Sequence, residues 1–231
     1  MLPIAIFQNT HNDGPGLFDA FANTQGLPLR IHRLYQRDPL PASVDEFSGL
    51  CILGSPASVN DDKAEFRALE QLIVQARARR IPVIGHCFGG QILSKALGGT
   101  IGPTPHPEIG WSHLQSDATD WFGSNQFPMF QWHFETFSIP ADAVRIATGT
   151  LCENQAFCVD DIHLGMQFHC EVDGPKVDGW LDKIGCDEIQ GSPSPGVLHP
   201  GEIRRLNTSL LQISARVAHS IYSRWARAVR R

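Results

Sequence analysis

Short apolar runs alternate with helical patterns over the first hundred residues of the chain. The strand-like runs cover residues 4–7, 29–34, 50–53 and 81–85. Continuous apolar runs are typical of parallel strands, because both faces of such a sheet are buried. Neighbouring parallel strands also need a crossover connection, which is usually a helix. The alternation therefore predicts an α/β fold with a mostly parallel central sheet flanked by helices.

Beyond Thr100 the pattern changes to shorter strand-like stretches separated by Pro, Gly, Asn and Asp. These stretches cover residues 110–115, 127–133, 144–148, 156–159 and 164–168. Such spacing favours antiparallel or mixed pairing. We expect these strands to extend the sheet or to form a small lobe over one end of it.

The C-terminal part of the chain divides into a loop and a helix. Residues 185–200 are rich in Gly, Ser and Pro and predict a loop, whereas residues 203–229 show the spacing of a long amphipathic helix. We therefore expect one domain over residues 1–231. Its core would cover about residues 2–172, with a C-terminal loop and helical extension over residues 173–231.

The composition excludes several classes of partner and location. The chain has 231 residues, of which 42% are hydrophobic and 19% charged, with a net charge of −5. Its Lys and Arg residues are scattered except for a short cluster near the end (Arg224, Arg227, Arg230 and Arg231), whose spacing favours a solvated helix face over a binding patch. This balance argues against a nucleic-acid partner. No apolar run approaches the ~20 residues of a membrane helix, and the N-terminus lacks the basic region of a signal peptide. Six cysteines without a C-x-x-C pair do not predict a disulfide framework, so we expect a cytoplasmic protein.

One cysteine stands out because glycines flank it symmetrically. The segment Gly85-His86-Cys87-Phe88-Gly89 lies between a predicted strand and a predicted helix. Turns of the form G-x-nucleophile-x-G present a reactive side chain at the top of a sheet. The turn is so sharp that side chains at the glycine positions would collide with the strand or the helix. The dipole of the following helix stabilises a thiolate, so the pattern predicts that Cys87 is a nucleophile.

A thiol nucleophile needs a base, and the base needs a partner that holds its tautomer. His169 and Glu171 follow directly on the predicted strand 164–168. Side chains two positions apart at the end of a strand point in the same direction. We therefore predict that His169 is the base and that Glu171 orients it.

These residues resemble the class I glutamine amidotransferases, in particular stand-alone proteins similar to the amidotransferase domain of GMP synthase. The resemblance begins with Gly-x-Cys-x-Gly-x-Gln at Cys87 and Gln-Phe-His-x-Glu at His169. It extends over most of the chain, from about residue 2 to residue 172. Further motifs follow in the order of the family: Gly54-Ser55-Pro56-Ala57-Ser58-Val59, Glu108-Ile109-Gly110-Trp111, Trp132-His133-Phe134-Glu135-Thr136-Phe137 and Asn154-Gln155-Ala156-Phe157.

The resemblance implies a flavodoxin-like fold and hydrolysis of the γ-amide of glutamine, or of another γ-glutamyl compound, through a γ-glutamyl thioester. Cys87 would attack the amide, and His169 would move the protons. By position, the backbone N–H groups of Ser55 and Phe88 would form the oxyanion hole.

The resemblance also indicates which residues bind the substrate. Gln91 matches a family position in the glutamine pocket, although a glutamine on the surface of a helix is the alternative. Gly54 belongs to the oxyanion turn, and His133, Phe134 and Glu135 lie in a motif expected near the mouth of the pocket. A structural turn around a buried Trp132 explains the last motif equally well.

Four positions depart from the family pattern, and two of them are His86 and Gly90, where relatives often have Ile and His. Ser55 replaces the second glycine of the Gly-Gly-Pro turn, and Cys170 replaces the proline between the base and its partner. A redox pairing of Cys170 with Cys87 is conceivable, but the alternation of side chains directs Cys170 away from the side of His169. His86 also alternates away from the nucleophile and is expected to pack in the core.

The family leaves the fate of the released nitrogen open. No synthetase segment is expected in this chain, so either a separate synthetase subunit takes up the ammonia or the protein acts alone as a γ-glutamyl peptidase or amidase. A member of the fold that uses Cys87 as a redox sensor is a third reading. No spacing among His86, Cys87, His133 and His169 resembles a metal-ligand set, and no metal or other cofactor is expected.

Overall fold

The computed structural model describes residues 1–183, residue 189 and residues 193–229. The strands are β1 (Ile4–Gln8), β2 (Leu29–Arg33), β3 (Gly49–Ile52), β4 (Val83–His86), β5 (Ile101–Gln115), β6 (Gln126–Phe137), β7 (Ala143–Ala147), β8 (Ala156–Val159), β9 (His163–Met166) and β10 (Gly196–Val197). The helices are α1 (Leu17–Thr24), α2 (Ala64–Ala78), α3 (Phe88–Ala96), α4 (Thr119–Phe122), α5 (Gly174–Lys183) and α6 (Pro200–Ala226), with a 3₁₀ turn at Leu34–Gln36.

Within these residues the central sheet has seven strands in the order β2-β1-β3-β4-β9-β8-β7. The five strands from β2 to β9 are parallel, and β8 and β7 pair antiparallel at the edge beyond β9. The predicted α/β fold with a mostly parallel sheet is therefore confirmed. The antiparallel edge arises because β7, β8 and β9 are joined by connections too short to hold a crossover helix.

Helices cover both faces of this sheet. In β1, Ile4 and Ile6 belong to a core that also contains side chains of α1 and α6. Ala5 and Phe7 belong to a second core with side chains of α2 and α3. This alternation explains why the strand is apolar at each of its positions.

The predicted C-terminal extension packs directly on the central sheet. Val217, Ile221, Tyr222 and Trp225 of α6 are buried in the same core as β1 and β9. The helix begins at Pro200, earlier than the predicted residue 203. Proline is favoured in the first turn of a helix, because its missing N–H would have no helical partner there. None of the helices in the described ranges combines the length and apolarity that a membrane span requires.

A second, three-stranded sheet has the order β10-β5-β6. It forms around the long antiparallel pair β5 and β6, so the strands predicted after Thr100 both extend the central sheet and build a separate one. The loop prediction for residues 185–200 was wrong at β10, which pairs with Glu108 and Ile109 of β5. Residues 184–188 and 190–192 of that predicted loop lie outside the described residues.

The carboxyl ends of β3, β4 and β9 meet at one edge of the central sheet, because these strands are adjacent and parallel. Gly54 follows β3, Cys87 follows β4 and His169 follows β9. Ligands of open α/β sheets bind at this edge. The topology therefore brings three of the predicted site segments together.

Candidate active site

Cys87 occupies the single residue between β4 and α3. Its backbone has φ 49° and ψ −107°, a conformation that side-chain-bearing residues rarely adopt. The backbone N–H of Cys87 donates to the carbonyl oxygen of Met166 at 2.9 Å, which ties the turn to β9. Strained backbone of this kind persists only where the surrounding structure holds it, and it concentrates at functional sites.

The glycines on either side of Cys87 are required by close backbone contacts. A Cβ atom at Gly85 would lie 2.2 Å from the carbonyl oxygen of Gly89. A Cβ atom at Gly89 would lie 2.1 Å from the carbonyl oxygen of Ile52. Neither position can hold a side chain without moving backbone. The steric reason predicted for the glycine spacing is thus confirmed.

His169 lies just beyond β9 and is buried against Glu171. Its Nδ1 atom is 2.7 Å from Oε1 of Glu171, so Nδ1 donates and the carboxylate accepts. The backbone N–H of His169 donates to the carbonyl oxygen of Phe130 at 2.8 Å and anchors this segment to β6. Burial alone would lower the pKa of His169, but the charges of Glu171 and Cys87, with their side-chain hydrogen bonds, raise that pKa well above its usual value.

A buried lysine contacts the Glu171 side of this pair. Lys176 Nζ lies 3.3 Å from Glu171 Oε1 and 2.5 Å from Asp13 Oδ1, and it donates to the carbonyl oxygen of Gly14 at 2.6 Å. Burial alone would raise the pKa of Glu171, but the positive charges of Lys176 and His169 lower it below its usual value. Burial opposes the charge of Lys176, and the carboxylates of Asp13 and Glu171 outweigh it, so the pKa of Lys176 is raised.

Cys87 and His169 open into a cavity of about 400 Å³. Seven of the predicted site residues line it: Ser55, Cys87, Gln91, His133, Phe134, Glu135 and His169. The other lining residues are Thr10, Asn12, Asp13, Pro56, Ala57, Ser58, Trp132 and Trp180. A cavity of this volume is within the usual range for a small-molecule site.

The remaining predicted residues lie immediately around the cavity. Glu171 is fully buried behind His169. A Cβ atom at Gly54 would lie 2.5 Å from Asp13 Oδ2 and 2.9 Å from His169 Cε1, so this glycine makes room for both side chains. Phe88 is the first residue of α3 and is buried beneath the Cys87 turn.

Gln91 is buried one helical turn after Cys87 and lines the cavity, so the alternative of a glutamine on the surface of the helix was wrong. Its Nε2 donates to the carbonyl oxygen of Glu135 at 3.0 Å and to Oε1 of Gln167 at 3.4 Å. Gln167 in turn donates from Nε2 to the sulfur of Cys87 at 3.8 Å. This chain of contacts links Cys87, the predicted nucleophile, to the wall of the cavity formed by β6.

His133 joins the cavity to a buried polar network. Its Nε2 lies 3.1 Å from Glu108 Oε2, and its Nδ1 lies 3.2 Å from the carbonyl oxygen of Glu135. Glu108 also accepts hydrogen bonds from Gln155 at 2.9 Å and from Ser112 at 2.8 Å. His133 therefore lines the cavity and holds the local backbone. The motif lies in strand β6 and Trp132 is only partly buried, so the alternative of a structural turn around a buried Trp132 was wrong.

Comparison with known proteins identifies the family of this chain. Residues 22–179 match the family model described as "Glutamine amidotransferase class-I". The chain belongs to the class-I glutamine amidotransferase family. Membership places it among enzymes that hydrolyse the amide of glutamine.

Two amidotransferase relatives show how far the sequence similarity extends. A glutamine amidotransferase-like protein of Salmonella typhimurium is 28% identical over 181 residues, which cover 73% of this chain and 75% of that protein. The GMP synthase of Vibrio campbellii is 27% identical over 176 residues. That match covers 70% of this chain but 33% of the synthase, so this chain is similar to one part of a longer enzyme.

Solved amidotransferase structures show the same fold. A glutamine amido transferase from Methylobacillus flagellatus superposes with a TM-score of 0.96 and 37% identity, covering 100% of this chain and 96% of the other. A glutamine amidotransferase from Thermotoga maritima has a TM-score of 0.86 at 22% identity, covering 100% and 99% of the two chains. The predicted resemblance to stand-alone amidotransferases is confirmed.

Two residues that depart from the family motif, Ser55 and Cys170, face different parts of the protein. Ser55 lines the cavity, and its Oγ accepts a hydrogen bond from the backbone N–H of Ala57 at 3.1 Å. Cys170 points into the core under α6, where its sulfur lies 3.3 Å from the Tyr222 hydroxyl. Burial raises the pKa of the Cys170 thiol far above its usual value, so this thiol is held neutral. The arrangement opposes a Cys87–Cys170 disulfide.

His86, beside the nucleophile, also faces the core. Its Nε2 lies 3.2 Å from the Tyr222 hydroxyl and its Nδ1 lies 4.0 Å from the sulfur of Cys51. Burial lowers the pKa of His86 and keeps its ring neutral. The expected packing role of His86 is confirmed by these contacts.

Among the residues that the structure describes, three buried groups near the site contain the side-chain types that can ligate a metal. They are Asp13 with His169 and Glu171, His86 with Cys170 and Glu171, and Glu108 with His133 and Cys152. In the first group the Lys176 ammonium already supplies the positive charge between the carboxylates. In the third, Glu108 is saturated by internal donors. The donor sets are therefore used within the protein.

Sequence reasoning missed several residues of this site. Asp13 lies in a predicted turn, and Lys176 and Trp180 lie in the predicted C-terminal extension. No local sequence pattern indicated that these residues belong to the site. Gln167 was within reach, because it opens the motif that contains His169. Asp13 lies in the Asn12–Gly16 turn before α1, where a Cβ atom at Gly16 would lie 2.1 Å from the carbonyl oxygen of Glu171. That close approach is how the turn reaches the site.

Proposed function

We propose that this chain is a cysteine-dependent hydrolase of the γ-amide of glutamine, or of a related γ-glutamyl compound, that works through a γ-glutamyl thioester. The observation that carries the proposal is the 2.7 Å hydrogen bond from His169 Nδ1 to Glu171 Oε1, with His169 and Cys87 lining one cavity. A strained nucleophile turn and an oriented histidine together match the needs of acyl transfer.

In the first half of the reaction Cys87 attacks the γ-carbonyl carbon. The thiol proton passes to His169, a C–S bond forms, and the carbonyl becomes a tetrahedral oxyanion. The backbone N–H groups of Ser55 and Phe88 are the proposed donors to that oxyanion. His169 then gives its proton to the departing nitrogen as the C–N bond breaks. Ammonia or an amine leaves, and the thioester remains on Cys87.

In the second half water takes the place of the departed amine. His169 accepts a proton from the water as its oxygen attacks the thioester carbon. The C–S bond breaks, glutamate leaves and the Cys87 thiol is restored. Glu171 stabilises the charged form of His169 in both halves, and Lys176 keeps Glu171 ionised.

The γ-glutamyl part of the substrate is proposed to lie against the polar wall of the cavity. Gln91 holds the backbone of Glu135 at 3.0 Å, and Ser58 donates to Glu135 Oε1 at 3.1 Å. Together with Gly54, His133 and Phe134 they would surround the α-amino and α-carboxylate groups. The Glu135 carboxylate suits the ammonium group of the substrate.

The nitrogen has two candidate fates. The similarity to one third of a GMP synthase supports transfer of ammonia to a separate synthetase subunit. The size of the cavity and its aromatic side support a protein that acts alone as a γ-glutamyl amidase. Co-purification with a synthetase favours the first, and rapid hydrolysis by the isolated chain favours the second.

The experiment is a screen of the purified protein against glutamine and a series of γ-glutamyl amides, with glutamate release as readout. Cys87→Ala should abolish hydrolysis. Cys158→Ala is a matched control, because burial in the core raises the pKa of the Cys158 thiol to about 12. A glutamine-analogue diazoketone should add to the wild type and not to Cys87→Ala, as shown by intact mass. Absence of both a Cys87-dependent adduct and hydrolysis would overturn the proposal and favour a sensor.

A further inference from the structure

Two tryptophans form one wall of the cavity beside His169. The ring centroids of Trp180 and His169 are 5.0 Å apart, and the planes meet at 75°. Trp132 packs edge to face on Trp180, with centroids 5.8 Å apart. Both line the cavity. This surface is apolar, unlike the polar side chains of Ser58, Gln91 and Glu135, which also line the cavity.

The aromatic wall is held in a defined position by its surroundings. The indole N–H of Trp180 donates to the carbonyl oxygen of Asn12 at 2.9 Å. Phe130 packs behind both indoles, with ring centroids 6.4 Å from Trp132 and 6.1 Å from Trp180. A preformed surface binds a ligand without the entropy cost of ordering its own side chains.

The proposed chemistry determines which part of a substrate meets this wall. His169 must be within hydrogen-bond reach of the leaving nitrogen in order to protonate it. Any substituent on that nitrogen therefore starts next to His169, where Trp180 and Trp132 lie. Glutamine carries no substituent there, so its amide would leave the wall uncovered.

The charges near the wall favour a neutral substituent over a cationic one. Lys176 Nζ lies 5.3 Å from the centroid of the Trp180 ring. Two carboxylates lie on this side of the cavity, and both are already paired: Asp13 with Lys176 at 2.5 Å, and Glu171 with Lys176 and with His169. An ammonium group on the substituent would lose its hydration against the indoles without gaining an unpaired carboxylate.

We infer that the wall formed by Trp132 and Trp180 is a leaving-group subsite, and that the preferred substrates are γ-glutamyl amides of amines that carry a neutral aromatic or bulky apolar group. The inference rests on the proposed hydrolase function. The bonds that change are the same as in the hydrolysis of glutamine: the C–S bond forms, the C–N bond breaks and His169 supplies the proton to the leaving nitrogen. The released product is an apolar amine instead of ammonia.

The test compares two substrates that differ in the apolar group alone, γ-glutamyl benzylamide and γ-glutamyl methylamide. Both release an aliphatic amine, so their intrinsic reactivities are similar. We expect kcat/KM to be about tenfold or more higher for the benzylamide, since a well-filled apolar subsite discriminates on this scale. Glutamine should resemble the methylamide, and a γ-glutamyl amide of a diamine should be slower than both.

Variants of the wall assign the preference to its residues. Trp132→Leu should bring the ratio of the two kcat/KM values down to about twofold, mostly through the benzylamide. The carbonyl oxygen of Trp132, which lies 3.6 Å from the Cys87 sulfur, is unchanged by this substitution. Val144→Ser, on the exposed surface of β7, is the control and should leave the ratio unaltered.

The possible outcomes distinguish a failure of this inference from a failure of the proposed hydrolase function. Equal kcat/KM for benzylamide and methylamide, or faster cleavage of the diamine amide, overturns the subsite while the Cys87-dependent hydrolase stands. An equal loss of both activities in Trp132→Leu also overturns it, because the indole then only supports the fold. If no γ-glutamyl compound is hydrolysed in a Cys87-dependent manner, both the function and the subsite are wrong.

Discussion

The ammonium group of Lys176 lies 3.3 Å from the carboxylate oxygen of Glu171 that also accepts the hydrogen bond of His169. Oε1 of Glu171 thus connects α5, which carries Lys176, to His169, the proposed base. Both partners are almost completely buried, and a buried charge that loses its partner is strongly destabilising. In the proposed mechanism Lys176 is therefore a positioning residue, which acts on the chemistry through Glu171.

Replacing Lys176 with methionine should affect both stability and the pH profile. The unpaired carboxylates of Asp13 and Glu171 should lower the free energy of unfolding by about 3–5 kcal/mol, measured by urea denaturation. The pKa of Glu171 should rise, because Lys176 is the largest charge that lowers it. The acid limb of kcat/KM should consequently move to higher pH.

Lys63→Met is the matched control for this prediction. Lys63 makes an exposed ion pair with Asp61 at 3.5 Å, and its loss should change the free energy of unfolding by less than about 1 kcal/mol. A normal acid limb in Lys176→Met, despite lower stability, would show that Lys176 serves packing alone.

Glu171→Gln should change the protonation of His169 with little change in shape. The negative charge of Glu171 raises the pKa of His169, so the amide should lower that pKa toward or below its usual value. We expect kcat to fall by a factor on the order of 10⁴, as for other bases that lose their carboxylate partner. ¹⁵N NMR titration of the His169 ring checks the first expectation, and glutamate release checks the second. An unchanged His169 titration would contradict this account.

Two glycine substitutions should have opposite effects. Gly89→Ala places a Cβ atom 2.1 Å from the carbonyl oxygen of Ile52, so it should lower the free energy of unfolding by about 3 kcal/mol and distort the Cys87 turn. Gly179→Ala lies in α5 where a Cβ atom meets no described atom within 4 Å, and it should raise that free energy by about 0.5–1 kcal/mol. Thermal unfolding of both variants decides this, and a stable, active Gly89→Ala protein would refute the steric explanation.

His163 should make the fold sensitive to acid. Burial lowers its pKa to about 4, and neither ring nitrogen has a hydrogen-bond partner among the described residues. The unfolded chain titrates near pH 6.5 and so binds a proton that the folded chain does not between about pH 6.5 and 4. Stability should therefore fall as pH drops through this window, by about 3 kcal/mol in all.

His163→Leu removes this titration and should flatten the stability profile between pH 6.5 and pH 4. Urea denaturation of wild type and variant at several pH values measures the difference. The two profiles should converge in slope above pH 7, where His163 is neutral in both the folded and unfolded chain. Parallel profiles throughout the acid range would show that His163 does not contribute.

Local patterns sufficed for the sheet and for the nucleophile turn. The apolar runs of the first hundred residues predicted four of the five parallel strands to within about two residues, because a strand buried on both faces is apolar at every position. The glycines around Cys87 predicted a turn whose close contacts the structure confirms. Strand β10 was predicted as loop. It forms because it pairs with Glu108 and Ile109, and this long-range contact leaves no local signal in the sequence.

By itself the sequence determined a parallel α/β fold and its family, and it predicted a nucleophilic cysteine at the end of β4. Those features depend on local periodicity, steric demands of a turn and short motifs. The tertiary structure alone decided that Asp13 and Lys176 meet at Glu171, and that Trp180 lies against His169. These contacts join α5 to a turn near the N-terminus and to the end of β9. Their positions follow from how the elements pack, and no periodic pattern in the chain records that packing.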